Sequence, residues 1–138
     1  VLSAEGYTVE TATTHAEALR RLDEPGWSVI LVDQKLQGPG GPDTGLDLIT
    51  ESRRRAPGAK VLLATAYASK ETVERAFREG AYDYLEKTPV FEALLRVKVR
   101  NAMEAVRERS PCSWRPAASR ARCARFSSGK RRTTCWWC

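Results

Sequence analysis

One histidine and one methionine occur in 138 residues, and the apolar runs stop at about four, as in Val29-Ile30-Leu31-Val32. Spanning a bilayer takes roughly 20 consecutive apolar residues, so a membrane helix is excluded. Val1-Leu2-Ser3-Ala4-Glu5-Gly6 has neither the basic start nor the apolar stretch of a secretory leader. A soluble cytoplasmic protein is the expectation. No G-x-G-x-x-G loop is present, which removes the usual signature of a dinucleotide-binding enzyme. The lone His15 lies inside a helix-start motif and reads as a surface residue rather than a catalytic one. The chain opens on Val1 without Met, so polypeptide preceding it is expected.

Acidic residues are absent from one end. Residues 109–138 hold eight Lys and Arg, none of the 17 Asp and Glu, all four Cys and three of the four Trp. The net charge of +6 therefore divides into −2 for residues 1–108 and +8 for the remainder. Residues 1–108 read as one domain. Residues 109–138 read as a basic Cys/Trp/Arg-rich tail, either out-of-frame translation of a GC-rich gene or a disordered linker. Its cysteines fall as C-x10-C-x11-C-x2-C with no nearby His, short of the two close pairs that a zinc site usually shows. Arg120, Arg122, Arg125 and the tryptophans could suit nucleic acid, but the segment has no helical or strand period.

Before the tail, strand and helix patterns alternate. Tyr7–Ala12 alternates and is β-branched, as suits a strand near a sheet edge. Thr14-His15-Ala16-Glu17 has the form of a capping box, and Pro25-Gly26 ends the helix it opens. Trp27–Val32 is a continuous apolar run, the pattern of a strand covered on both faces. A Gly/Pro-rich loop over 37–45 leads to a helix that ends in Arg53-Arg54-Arg55, where positive charge complements the helix dipole. Lys60–Ala64 is a second buried strand. Ser69 caps the next helix, with Val73, Ala76 and Phe77 expected inward and Gly80 as its stop. Tyr82–Glu86 is a short strand, and a last helix after Pro89 carries Phe91, Leu94, Leu95, Val97 and Met103. Short crossovers in this order make an open, doubly wound parallel α/β sheet.

Ligands in such sheets bind outside the carboxyl ends of the strands. Asp33, Thr65 and Lys87 close three successive strands there. A carboxylate nucleophile, a hydroxyl and an ammonium together suit an acyl-phosphate. Singly, each is the ordinary polar residue at a strand end. Three in succession favour a site.

These segments resemble the receiver domain of two-component response regulators over about residues 1–106. Leu31-Val32-Asp33 with its Gly/Pro loop is similar to the phosphoacceptor segment. Leu63-Ala64-Thr65-Ala66-Tyr67 is similar to the strand bearing the switch Thr. Gly80-Ala81-Tyr82-Asp83-Tyr84-Leu85-Glu86-Lys87 is similar to the final strand, with an aromatic three residues before an essential Lys. The resemblance implies a flavodoxin-like fold, a phosphoryl transfer from a sensor histidine kinase to Asp33, and Mg²⁺ at the phosphate. It implies phosphate binding by Thr65 and Lys87, and switching through Thr65 and Tyr84. The remodelled surface would be the helix at about 69–79 (the family's fourth), the last strand and the last helix, where dimerisation is also possible. Lys35 and Tyr67, each two residues beyond a motif residue, would tune dephosphorylation.

The family's first strand, the acidic pair that follows it and most of its first helix have no counterpart here. Of the family's metal ligands, the Asp33 carboxylate and the Lys35 main-chain carbonyl remain, so weak or absent Mg²⁺ binding and poor phosphorylation are expected. The missing strand is central in the family's order. The Tyr7–Ala12 strand is therefore expected either unpaired or directly against Val29–Val32. Lys87-Thr88-Pro89 stands where the family usually has Pro directly after Lys, and the loop over 34–45 is longer than usual by about two residues. The main alternative is a phosphorylation-independent pseudo-receiver that binds a partner. Nucleic acid would be met only through an output domain outside this chain.

Overall fold

The computed structural model describes residues 2–35, 44–108 and 132–135, the last four and Thr44 by their backbone. Its elements are β1 (Thr8–Glu10), α1 (His15–Leu22), β2 (Trp27–Asp33), α2 (Thr44–Arg55), β3 (Lys60–Thr65), α3 (Lys70–Glu79), β4 (Asp83–Glu86), α4 (Phe91–Glu108) and β5 (Arg132–Cys135). The five strands form one parallel sheet in the order β1-β5-β2-β3-β4.

All seven residues of β2 are buried, because apolar layers cover both faces of the sheet. On one face Ile30, Val32, Val61 and Leu63 pack with Ala18 and Leu22 of α1, Leu46 and Ile49 of α2 and Ala76 of α3. On the other, Val29, Leu31, Leu62 and Leu85 pack with Phe91, Leu95, Val99, Ala102 and Met103 of α4, and with Leu2. The expected doubly wound parallel α/β architecture is what forms.

The helix starts follow from local chemistry. Thr14 Oγ1 accepts from the Glu17 amide at 3.2 Å, and Glu17 Oε2 accepts in return from the amide of Thr13 at 3.1 Å. The returning bond thus reaches one residue further back than the usual capping box. Ser69 Oγ accepts from the Thr72 amide at 3.2 Å. Gly80 ends α3 at φ 106°, a left-handed cap that a Cβ would strain.

Two expectations need correction. Phe77 is 46% exposed rather than inward: α3 lies over α2 and the β4 edge and buries Ala76, as expected, while Phe77 meets Tyr84 edge to face at 6.3 Å. Of the apolar residues that α4 carries, Leu94 and Val97 are exposed, a point that no expectation addresses, since its buried stripe runs through Phe91, Leu95, Val99 and Ala102 with helical period. Most consequentially, β1 is neither unpaired nor against β2. Arg132–Cys135 runs parallel between them, pairing Val9 with Thr133 on one side and Val29 with Thr133 on the other. The sheet therefore reaches into the segment expected to be a separate tail, at a place where β2 leaves a row of backbone donors and acceptors to be paired. The rest of that segment, with Cys112, Cys123, Cys138 and the tail tryptophans, lies outside the described residues, as does most of the loop over 34–45.

Candidate functional site

The parallel register staggers the strand ends. Asp33 stands level with Ala64, and Thr65 is level with Glu86, so Thr65 and Lys87 each lie one residue beyond their neighbour's last pair. The Lys87 amide donates to the Thr65 carbonyl at 2.8 Å, and the Gln34 amide to the Ala64 carbonyl at 2.9 Å, which ties the three ends together. All three expected residues thus meet at one sheet edge.

Asp33 is only 5% exposed. A carboxylate there is costly unless its oxygens are satisfied, and both are. Oδ2 pairs with Lys87 Nζ, and Oδ1 accepts from the Lys35 amide at 3.1 Å. Asp33 comes from the end of β2, Lys87 from just past β4, and the lysine's side chain spans β3 to reach it. Its side chain remains about one-third exposed (31%), so the pair has a face open to solvent.

Thr65 is fully buried. Its Oγ1 donates to Gln34 Oε1 at 2.5 Å and accepts from the Tyr67 amide at 3.1 Å. The Tyr67 carbonyl lies 2.9 Å from the same hydroxyl as an alternative acceptor. Gln34 was not among the expected site residues. Its place directly after the strand-ending Asp was the available signal. Gly45 was also missed: its amide donates to the Gln34 carbonyl at 3.2 Å, and a Cβ on it would stand 2.1 Å from the Asp33 carbonyl oxygen. The close approach of α2 to the end of β2 therefore needs glycine.

The other expected residues lie around this cluster. Tyr67 is 85% exposed and is joined to the site through its backbone. Tyr84 is half-buried, packed on Phe77 with the Lys98 ammonium 5.6 Å from its ring centre. Lys98 also pairs with Asp83 at 2.6 Å, which fixes the outer side of β4 to α4. Among the described residues every peptide bond is trans, including Thr88–Pro89, and Thr88 Oγ1 is buried without a hydrogen-bond partner.

Among the described residues no three His, Cys, Asp or Glu side chains stand together as a metal group would require. Mg²⁺ takes six oxygens in near-octahedral geometry. Asp33 offers one carboxylate, and both of its oxygens are already engaged. The described residues do not make a magnesium site by themselves.

What the cluster can do is limited and specific. It presents a carboxylate with an adjacent ammonium that can move to a new anion, and a hydroxyl one residue away that can exchange one acceptor for another.

A family model described as the response regulator receiver domain matches residues 1–99. The alginate biosynthesis transcriptional regulatory protein AlgB of Pseudomonas putida is 35% identical over 103 residues, covering 75% of this chain and 22% of that protein. The chain thus spans about a fifth of the length of such curated relatives. A crystal structure of a response regulator protein from Burkholderia pseudomallei, with a phosphorylated aspartic acid, calcium ion and citrate, matches with TM-score 0.61 and 33% identity, over 79% of this chain and 62% of that one. A solution structure of the beryllofluoride-activated NtrC4 receiver domain dimer matches with TM-score 0.63 and 31% identity, over 76% and 83%. Among the described residues no helix is long and apolar enough to cross a membrane.

Proposed function

Because this chain belongs to the response regulator receiver domain family, we propose that it is the phosphoacceptor module of a two-component relay, with Asp33 receiving the phosphoryl group. The observation that carries this reading is the buried Asp33 carboxylate paired to Lys87 with Thr65 at the adjoining strand end. A carboxylate oxygen of Asp33 attacks the phosphorus of a sensor kinase's phosphohistidine. The P–O bond forms, the P–N bond breaks, and the imidazole leaves with the electron pair and takes up a proton. Lys87 neutralises charge on the phosphoryl oxygens. The new group carries close to two negative charges, and Thr65 exchanges Gln34 for a phosphoryl oxygen.

That exchange is the switch. Thr65 moves toward the phosphate, Tyr84 turns inward behind it, and the surface of α3, β4 and α4 changes shape as a population shift. Exposed Phe77, Tyr82, Leu94 and Val97 give this surface the apolar area that a second receiver or an output domain would cover. Lys35 and Tyr67 flank the route of hydrolytic water. The module is a signalling switch in the cytoplasm rather than a stand-alone enzyme, and it meets nucleic acid only through an output domain.

The test is incubation of the full chain with acetyl phosphate and Mg²⁺, read by peptide mass spectrometry. Slow labelling confined to Asp33, and lost in Asp33→Asn, is expected. Label on another residue, or none at saturating reagent, removes Asp33 as phosphoacceptor. A second reading is a phosphorylation-independent binding module, and the unlabelled outcome favours it.

A further inference from the structure

Thr65 is the fully buried hydroxyl of the site, and a hydroxyl has one proton to donate. That proton goes to Gln34 Oε1 at 2.5 Å, while the Tyr67 amide donates to the same hydroxyl oxygen at 3.1 Å. The other acceptor within reach is the Tyr67 carbonyl at 2.9 Å, which already accepts from the Ser69 amide at 3.0 Å. A phosphoryl oxygen on Asp33 would call on the same proton. Gln34 and the phosphoryl group therefore compete for it.

The backbone of Gln34 places its side chain for this contest. Its amide donates to the Ala64 carbonyl at 2.9 Å, and its carbonyl accepts from the Gly45 amide at 3.2 Å. Ala64 directly precedes Thr65, so the carboxamide is anchored to the strand end whose hydroxyl it holds. With the main chain fixed on both sides, closing the side-chain bond orders only the rotamers of Gln34. The contact is thus built by the ends of β2 and β3 and the start of α2, and it needs nothing from the loop beyond Lys35.

We propose that Gln34 is a positioning residue that latches Thr65 in the unphosphorylated arrangement and so sets the threshold for switching. This rests on the reading of Asp33 as phosphoacceptor. The Thr65 hydroxyl can serve a phosphoryl oxygen only in the fraction of molecules whose latch is open, and phosphorylation that draws on that form is slowed by the same fraction. One neutral hydrogen bond changes such a fraction about two- to tenfold. Gln34 acts through Thr65 alone, so its effect disappears when the hydroxyl is removed.

The experiment is a double-mutant cycle on the full chain with Gln34→Met and Thr65→Val. Gln34→Met keeps the length of the side chain and leaves only a weakly accepting sulfur. Two quantities are read: the Thr65 hydroxyl proton by NMR without phosphodonor, and the initial rate at which acetyl phosphate with Mg²⁺ labels Asp33. Gln34→Met should move the hydroxyl resonance upfield, speed its exchange with water, and raise the labelling rate about fivefold. In the Thr65→Val background the same substitution should change the rate less than about twofold. Equal rates with Thr65 present, or an equal acceleration without its hydroxyl, overturn the proposal and leave Asp33 as phosphoacceptor. A hydroxyl resonance that Gln34→Met does not move, or that exchanges too fast to observe in the unaltered chain, overturns the latch whatever the labelling shows. Absence of label at Asp33 from every chain removes the phosphoacceptor reading, and the proposal with it. If Thr65→Val does not fold, the hydroxyl resonance and the rates of the two Thr65 chains decide.

Discussion

Asp33 and Lys87 form a partly open pair, and the residues that hold the loop after Asp33 govern whether it stays formed. Gly45 is the tightest of them. In Gly45→Ala the added methyl would stand 2.1 Å from the Asp33 carbonyl oxygen, a backbone atom that cannot swing aside. The start of α2 must then retreat, and the bond from the Gly45 amide to Gln34 goes with it. We expect a loss of about 1–3 kcal/mol in chemical denaturation and perturbed Gln34 and Thr65 resonances, with the α4 resonances unmoved. An unchanged midpoint would show that the approach is looser than the geometry describes. Lys35 and Tyr67 act differently, on access. Tyr67 is well exposed beside the Thr65 hydroxyl, and the Lys35 amide caps Asp33. Replacing both side chains by alanine should speed loss of the phosphoryl group from labelled chain severalfold, read by the decay of the mass adduct. An unchanged decay would remove both residues from the water route.

At the scale of elements, α1 and α2 are clamped by charge rather than by apolar contact alone. Arg55 bonds Glu51 at 2.9 Å within α2 and Asp23, just after α1, at 2.7 Å, while Arg54 bonds Glu51 at 2.7 Å. Hydrogen bonds from Arg54 and then Arg55 hold the Glu51 carboxyl below its ordinary value, and those that Arg55 donates to Glu51 and Asp23 raise Arg55. A carboxyl depressed by folding adds stability above its unfolded pKa, and that stability is lost as pH falls through its folded value. Melting scans from pH 7 down to about pH 3 should therefore show a fall that Glu51→Gln makes shallower below about pH 4.5; identical profiles would show the clamp to be silent. The same elements show what the sequence made legible. Asp33, Thr65 and Lys87 could be placed because each closes an apolar run, and a parallel sheet aligns such ends. Phe77 is expected inward and lies half-exposed because its hydrophobicity says nothing of how narrow the stripe beneath α3 is. Gln34 and Gly45 were missed because their roles depend on a contact between the end of β2 and α2, which no local pattern encodes.

At the scale of the whole molecule, the sheet joins residues more than 120 positions apart, through the pairing of Thr8 with Arg132. No periodicity in Arg-Thr-Thr-Cys announced this, because the pairing is made by backbone groups and the demand for it comes from β1 and β2. The described sheet gives β1 its ladder only through β5, whereas β3 and β4 have theirs on the opposite side of β2. Ending the chain after Glu108 should therefore be felt unevenly. Several ladder hydrogen bonds at about 1 kcal/mol each predict a loss of at least about 3 kcal/mol, and native-state hydrogen exchange locates it. Amides of Thr8–Glu10 should lose protection almost completely. Those of Val61–Leu63 and of the middle of α4 should keep an ordering above the rest, at reduced absolute protection. Equal protection of Thr8–Glu10 in the two chains would mean that β5 contributes nothing to the sheet, and that β1 is held instead by the packing of Tyr7 and Val9 on the α4 side of the core.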